Sequence, residues 1–167
     1  MAHRMNSLDD LYLNQLQDNY SANKQMAGIV GEFEQKASDE KLKTRLNQIK
    51  DGVQRHNETL KSVIEGRGGK PDGEHCKGME GLVREGRAHG LEPESGEPAV
   101  QDAAMIAQVH RMSHYGLAGY GTAKAFAEQL GYSDDAQKLD SSLGDIYDSD
   151  EFLSDLAERK VNPQAAN

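Results

Sequence analysis

Residues 110–132, "HRMSHYGLAGYGTAKAFAEQLGY", follow a helical pattern yet include three glycines within six positions, Gly116, Gly119 and Gly121. A glycine inside a helix costs roughly 1 kcal/mol relative to alanine. Because the apolar residues keep their helical spacing through this segment, we predict one long helix here. We expect its glycines to allow a close approach of a facing helix, since a missing side chain lets two backbones come together.

The same apolar spacing extends outward and predicts three further long helices. The first covers about residues 7–36, with Ser7 and Asp10 as a capping box. The second begins at Ser38 and ends at the glycine-rich segment "EGRGGKPDGE". The third, which contains the opening segment, covers about residues 99–130, and the fourth about residues 134–160. Between the second and third we predict a short helix within "EHCKGMEGLVREGRAHG" and then a loop, "LEPESGEP".

These elements define the fold class. No segment alternates with a period of two residues, so we predict no strand and an all-α protein. Four long helices with a long crossover between the second and third have the connectivity of ferritin-like four-helix bundles. We expect one domain over residues 1–161 and a frayed tail at 162–167.

Composition excludes several function classes. The net charge is −9 and the basic residues are scattered among acidic ones, so we expect neither nucleic acid nor an anionic membrane surface as a partner. The N-terminal "MAHRMNSLDD" contains no apolar run, so we expect no signal peptide and no membrane span. Cys76 is the single cysteine, which excludes an internal disulfide and favours a reducing cytoplasm.

Three segments resemble a known family. Residues 10–25 "DLYLNQLQDNYSANKQ", 76–86 "CKGMEGLVREG" and 102–132, together with "LSDLAE" at 153–158, are similar to the YciF/YciE family of bacterial ferritin-like stress proteins. The resemblance implies a rubrerythrin-like helical bundle, usually dimeric and induced under stress, with a dinuclear metal site in typical members. We therefore expect a homodimer.

The chain departs from the family at its metal ligands. Typical members read "YSAEKQ" where this chain reads "YSANKQ", so Asn23 replaces a ligand carboxylate. They read "EHYE" where this chain reads "SHYG", which leaves Ser113 and Gly116 at two glutamate positions. Relatives commonly have Glu and then Asp at the positions of Ile146 and Asp150, of which only Asp150 keeps a carboxylate.

On the second helix, the family fold places a Glu/His pair, and only His56 is a credible inner ligand. Asp51 and Gln54 fall well off the apolar stripe. The inner face there consists of Ile49, Gly52, Val53 and His56.

The remaining inner polar residues are Asn23, His56, Ser113 and Asp150. One carboxylate, one imidazole, one amide and one hydroxyl bring too little charge for two dications. We interpret them as a buried hydrogen-bond network in which His56 donates to Asp150, and we expect no metal. The alternative is a single metal ion held by His56, Asp150 and water.

Three further features have competing interpretations. His110 and His114 lie one turn apart, a spacing that can hold zinc, but both project away from the apolar stripe, which favours a packing or interface role. Cys76 is expected to be a partly buried structural thiol, although a helix N-terminus can lower a thiol pKa. The acidic run "DIYDSDEFLSD" lacks the glycine and terminal glutamate of a calcium loop and falls in a helical pattern.

Two functions follow. The first is a stress-associated, non-enzymatic bundle with a degenerate dimetal site, which acts structurally or through a protein partner, with no catalytic residue and no cofactor. The second is a residual iron- or manganese-binding protein with redox or peroxide-linked activity.

Overall fold

The computed structural model describes residues 5–92 and 96–167, and within these ranges it contains helices and no strand. The all-α prediction is confirmed. The helices are α1 (Leu8–Lys36), α2 (Glu40–Gly66), α3 (Lys77–Gly86), α4 (Pro98–Gln129), α5 (Ser133–Leu156) and α6 (Asn162–Ala165). Across the described residues, none of them combines the length and the hydropathy of a membrane span.

The starts of α1 and α2 are fixed by side chains. The capping box of Ser7 and Asp10 is present as predicted. In α2 the cap is Asp39, one residue later than Ser38, and its carboxylate accepts from the N–H groups of Lys41 and Leu42. The buried carboxylate of Asp102 on α4 accepts from the N–H groups of both Ser38 and Asp39, so it holds the turn between α1 and α2 against α4.

The crossover from α2 to α4 contains the predicted short helix, α3. A 3₁₀ turn, Pro71–Gly73, precedes it, and a π-helical turn, Arg87–Leu91, follows it. Helix α3 packs against α1 and α4. The second predicted loop, residues 91–98, includes residues 93–95, which lie outside the described residues, as do residues 1–4 of the N-terminus.

The four long helices close into a bundle. Short connections at 37–39 and 130–132 join α1 to α2 and α4 to α5 as packed pairs, and the pairs meet through α1 with α4 and α2 with α5. The buried apolar residues form two clusters rather than one. One cluster includes Met26, Val53, Met112 and Leu153, and the other includes Leu16, Leu60, Tyr120 and Leu143.

The C-terminal end of the chain continues the helical path of α5. A π-helical turn, Ala157–Val161, continues α5, and residues Asn162–Ala165 form one further helical turn. Val161 is buried in the first apolar cluster. Residues Asn162–Ala165 pack against α4.

The three glycines of α4 have different surroundings. A Cβ atom at Gly119 would overlap Oδ1 of Asn19 on α1 and would lie 3.1 Å from its Cγ, so this glycine is a close helix contact. At Gly116 a Cβ atom would meet Cδ1 of Ile146 at 3.7 Å, which confirms that α5 faces this position. The close contact expected at Gly121 is wrong, because no heavy atom lies within 4 Å of a Cβ built there.

Candidate functional site

A cavity of about 160 Å³ lies between the two apolar clusters, at the level where each long helix passes from one cluster to the other. We call the polar side chains of Asn19, Asn23, His56 and Ser113, which line it, the central polar layer. All four are buried. The inner face predicted for α2 is confirmed, since Ile49, Gly52, Val53 and His56 all line the cavity whereas Asp51 and Gln54 are exposed.

Asn23 and Tyr120 link α1 to α4 across this layer. The Asn23 side-chain amide donates a 2.7 Å hydrogen bond to the Tyr120 hydroxyl. Burial raises the pKa of Tyr120 well above its usual range, against the opposing effect of the Asn23 hydrogen bond, so the phenol stays neutral. The ring of His56 meets the Tyr120 ring edge-on, with centroids 6.0 Å apart. Asn23 and Tyr120 thus form a buried, uncharged hydrogen-bonded pair.

The expected hydrogen bond between His56 and Asp150 is wrong. Nε2 of His56 lies 2.9 Å from Oδ2 of Asp145, on the preceding turns of α5. The Asp145 side chain is 56% exposed, so the pair reaches from the cavity wall to the surface. Asp150 lies outside the cavity lining, which removes the proposed ligand pair of the single-metal alternative.

Asp150 contacts two histidines of α4 instead. Its Oδ1 lies 2.7 Å from Nδ1 of His110 and 3.2 Å from Nε2 of His114. His110 is half-buried and His114 is exposed, in agreement with the prediction that both lie away from the apolar stripe. We refer to these three residues as the α4–α5 cluster.

Asn19 is the member of the central polar layer that the sequence did not indicate. It is 1% exposed, and within the described residues its Nδ2 atom has no hydrogen-bond partner. A neutral amide belongs to no metal-ligand motif, so the sequence alone did not single it out. The close approach predicted at Gly119 is the contact that Asn19 makes with α4.

The donor set of the cavity does not fit a dinuclear metal centre. Two bound dications require about four carboxylates directed inward, from several helices. Among the described residues that line the cavity, the carboxylates are Asp145 and Asp148, both exposed on α5, and Asp145 is already paired with His56. Asn23 contributes a neutral amide rather than a carboxylate, and its N–H group is bonded to the Tyr120 hydroxyl. Nothing in this layer offsets four positive charges.

Cys76 is a structural thiol, as predicted, but it is fully rather than partly buried. It caps α3 by accepting from the N–H group of Met79, and its Sγ lies 3.0 Å from the Tyr115 hydroxyl, which also donates to Asp18. Burial raises the pKa of the thiol, so the lowering considered for a helix N-terminus does not occur. A neutral, enclosed thiol of this kind is a poor nucleophile.

The helix order, the crossover and the central layer define a ferritin-like bundle. Residues 7–166 match the family described as "Domain of unknown function (DUF892)", and the chain belongs to that family. It is 34% identical to protein YciF of Escherichia coli strain K12 over 98% of each chain.

Solved structures agree with this assignment. The crystal structure of the E. coli stress protein YciF superposes with a TM-score of 0.88 at 33% identity, covering 95% of this chain and 99% of that one. YcfI of Rhodopseudomonas palustris, for which a structural role has been proposed, gives 0.85 at 28% identity over 92% and 97%. A ferritin-like diiron-carboxylate protein from Bacillus anthracis strain Ames gives 0.71 at 16% identity over 93% and 99%, a likeness of fold alone.

Proposed function

We propose that this chain is a ferritin-like protein of stress physiology that has no dinuclear metal centre and acts structurally, through contacts with other protein chains. Its similarity to the stress protein YciF supports the physiological part of the proposal. Its similarity to YcfI, with the structural role proposed for that protein, supports the second part.

The hydrogen bond from Asn23 to Tyr120 is the observation that carries the proposal. In a metal-binding bundle, the inward side chain of the first helix supplies a negative charge to the ions. Here it supplies a neutral donor to a buried phenol. This buried, uncharged pair links α1 to α4 without a metal, because burying polar groups costs little once they are hydrogen-bonded to each other.

Iron loading tests the proposal. Tag-free protein is stripped with a chelator, incubated with excess Fe(II) or Mn(II) without oxygen, passed through a desalting column and analysed for metal. We expect no stoichiometric dinuclear loading, and no peroxide-dependent oxidation of Fe(II) above that of a control protein. Retention of two ions per chain by the variant His110→Ala/His114→Ala, which lacks the histidines of the α4–α5 cluster, would contradict the proposal.

The resemblance to a family that is usually dimeric supports a homodimer as the first protein contact. Light scattering coupled to size-exclusion chromatography measures this directly. The expected mass is twice the 18.3 kDa of the chain. A concentration-independent monomer would contradict the homodimer while leaving the metal-free centre in place.

A further inference from the structure

We propose that the α4–α5 cluster of His110, His114 and Asp150 binds a single divalent transition-metal ion, with Zn²⁺ as the expected occupant. The site is separate from the central polar layer, because these side chains lie outside the lining of the central cavity. This zinc site goes beyond the function proposed above, and the two proposals are tested independently.

Proximity is the first argument. One potential ligand atom from each of the three residues lies within 4.8 Å of the other two. The shortest distances to Oδ1 of Asp150 are 2.7 Å from His110 and 3.2 Å from His114. Donors bound to one tetrahedral Zn²⁺ at bond lengths near 2.0–2.1 Å are separated by about 3.3 Å. The two distances to Asp150 therefore lie about 0.6 Å and about 0.1 Å below the donor separation of such a coordination shell.

Preorganisation is the second argument. His110 and His114 are four residues apart on α4, so the helix itself places both rings on one face. Asp150 is brought to them by the packing of α5 on α4, which the bundle requires in any case. The ion then closes no new loop and orders no new segment, so little of its binding free energy is lost in assembling the site.

The donor chemistry selects the class of ion. Two imidazoles and a carboxylate are typical ligands of Zn²⁺ and similar borderline ions, whereas Ca²⁺ and Mg²⁺ take oxygen ligands. The carboxylate cancels one of the two positive charges of the ion, and the net charge of −9 of the chain further favours a cation. His114 is 62% exposed, which leaves an entry path and room for water at the remaining coordination positions.

Zinc titration of the full chain tests the site. The protein is freed of tags and metal, and Zn²⁺ is titrated in competition with a chromophoric chelator. We expect the wild type to bind one Zn²⁺ per chain. Each of the variants His110→Ala, His114→Ala and Asp150→Asn should bind Zn²⁺ at least tenfold more weakly than the wild type. The matched controls are His75→Ala and His89→Ala, which remove exposed histidines that each have one carboxylate neighbour, Glu80 and Glu85. These controls should leave the affinity unchanged.

A spectroscopic readout separates coordination from a change in folding. Co²⁺ bound by two imidazoles and a carboxylate should produce visible ligand-field absorption, which Zn²⁺ then removes and which the His110→Ala/His114→Ala variant lacks while its helical circular dichroism is unchanged. The proposal is overturned if no saturable Zn²⁺ site exists, or if the three ligand variants and the two controls weaken binding equally. Neither result bears on iron binding at the bundle centre. Iron loading of the His110→Ala/His114→Ala variant measures that binding separately.

Discussion

The amide of Asn23 on α1 and the hydroxyl of Tyr120 on α4 form a 2.7 Å hydrogen bond across the middle of the bundle. Both residues are buried, so the bond is made away from water, where leaving either partner unpaired is costly. This neutral pair occupies the layer in which ferritin-like relatives with two metals concentrate negative charge. The account of this protein as a bundle without a dinuclear centre depends on that exchange.

Removing either partner of this pair should destabilise the fold. We expect Asn23→Ala and Tyr120→Phe each to lower the free energy of unfolding by about 1–2 kcal/mol, since each strands a buried polar group. The double variant should lose less than the sum, with a coupling of about 1 kcal/mol. Urea denaturation of the four proteins measures the cycle. Additive losses would show that the two side chains do not depend on each other.

The glycines of α4 provide a matched pair of substitutions. Gly119→Ala should be destabilising because the added methyl group overlaps the Asn19 amide. Gly121→Ala should stabilise the helix by up to about 1 kcal/mol, because the position has open space and alanine is the better helix former.

Thermal unfolding is measured for Gly119→Ala, for Gly121→Ala and for the double variant Asn19→Ala/Gly119→Ala. The Asn19 change should recover part of the loss, since it removes the atoms that the new methyl group meets. Equal effects of alanine at 119 and 121 would be inconsistent with the close contact between α1 and α4.

Stability should fall at alkaline pH. Burial is the leading cause that raises the pKa of Tyr12, Tyr115 and Tyr120 above their usual range, so the folded state favours the neutral phenols. A raised pKa contributes stability that is fully present below the unfolded value, about 10, and is lost as pH rises toward the folded value. The free energy of unfolding should therefore begin to decrease near about pH 10 and continue to decrease above it.

Denaturation of the wild type and Tyr120→Phe across this range checks the cause. The variant should be less stable at neutral pH but lose less stability on the alkaline side, because phenylalanine does not titrate. The thiol of Cys76, whose pKa burial also raises, contributes in the same direction and remains in both proteins. Parallel pH profiles would exclude Tyr120 as a source of the alkaline loss.

Much of the fold could be predicted because local periodicity determines it. The α2 residues Ile49, Gly52, Val53 and His56 were placed on the inner face from their spacing, and all are buried. The capping box of Ser7 and the helix-breaking glycines between α2 and α3 are equally local signals. Each of these features is decided by residues within a few positions of one another.

The partners within the site could not be predicted in the same way. Asp150 follows Ile146 by one turn, but four residues advance a helix by about 40° more than a full turn, which moves Asp150 toward the α4 histidines. His56 consequently pairs with Asp145. Which carboxylate meets which imidazole depends on how α5 is rotated against α2 and α4, and local sequence does not record that angle. The burial of Asn19 could not be predicted for a related reason, since a neutral side chain in a polar-rich stretch of α1 gives no sign of burial.

Restoring the family's carboxylates should create metal affinity at the bundle centre. We expect the combined variant Asn23→Glu, Ser113→Glu, Gly116→Glu and Ile146→Glu to bind Fe(II) more tightly than the wild type, because it adds four negative charges around the cavity. The uncharged set with Gln at the same four positions is the control for side-chain size. Equal iron content in the Glu and Gln variants would mean that charge is not what the native layer lacks.

Anomalous X-ray diffraction from crystals soaked in Fe(II) or Mn(II) locates any bound ion directly. Our expectation is no pair of anomalous peaks in the cavity between Asn23, His56 and Ser113, with any single peak confined to His110, His114 and Asp150 on the outer face. Two peaks a few ångströms apart within the central polar layer of the native chain would contradict it.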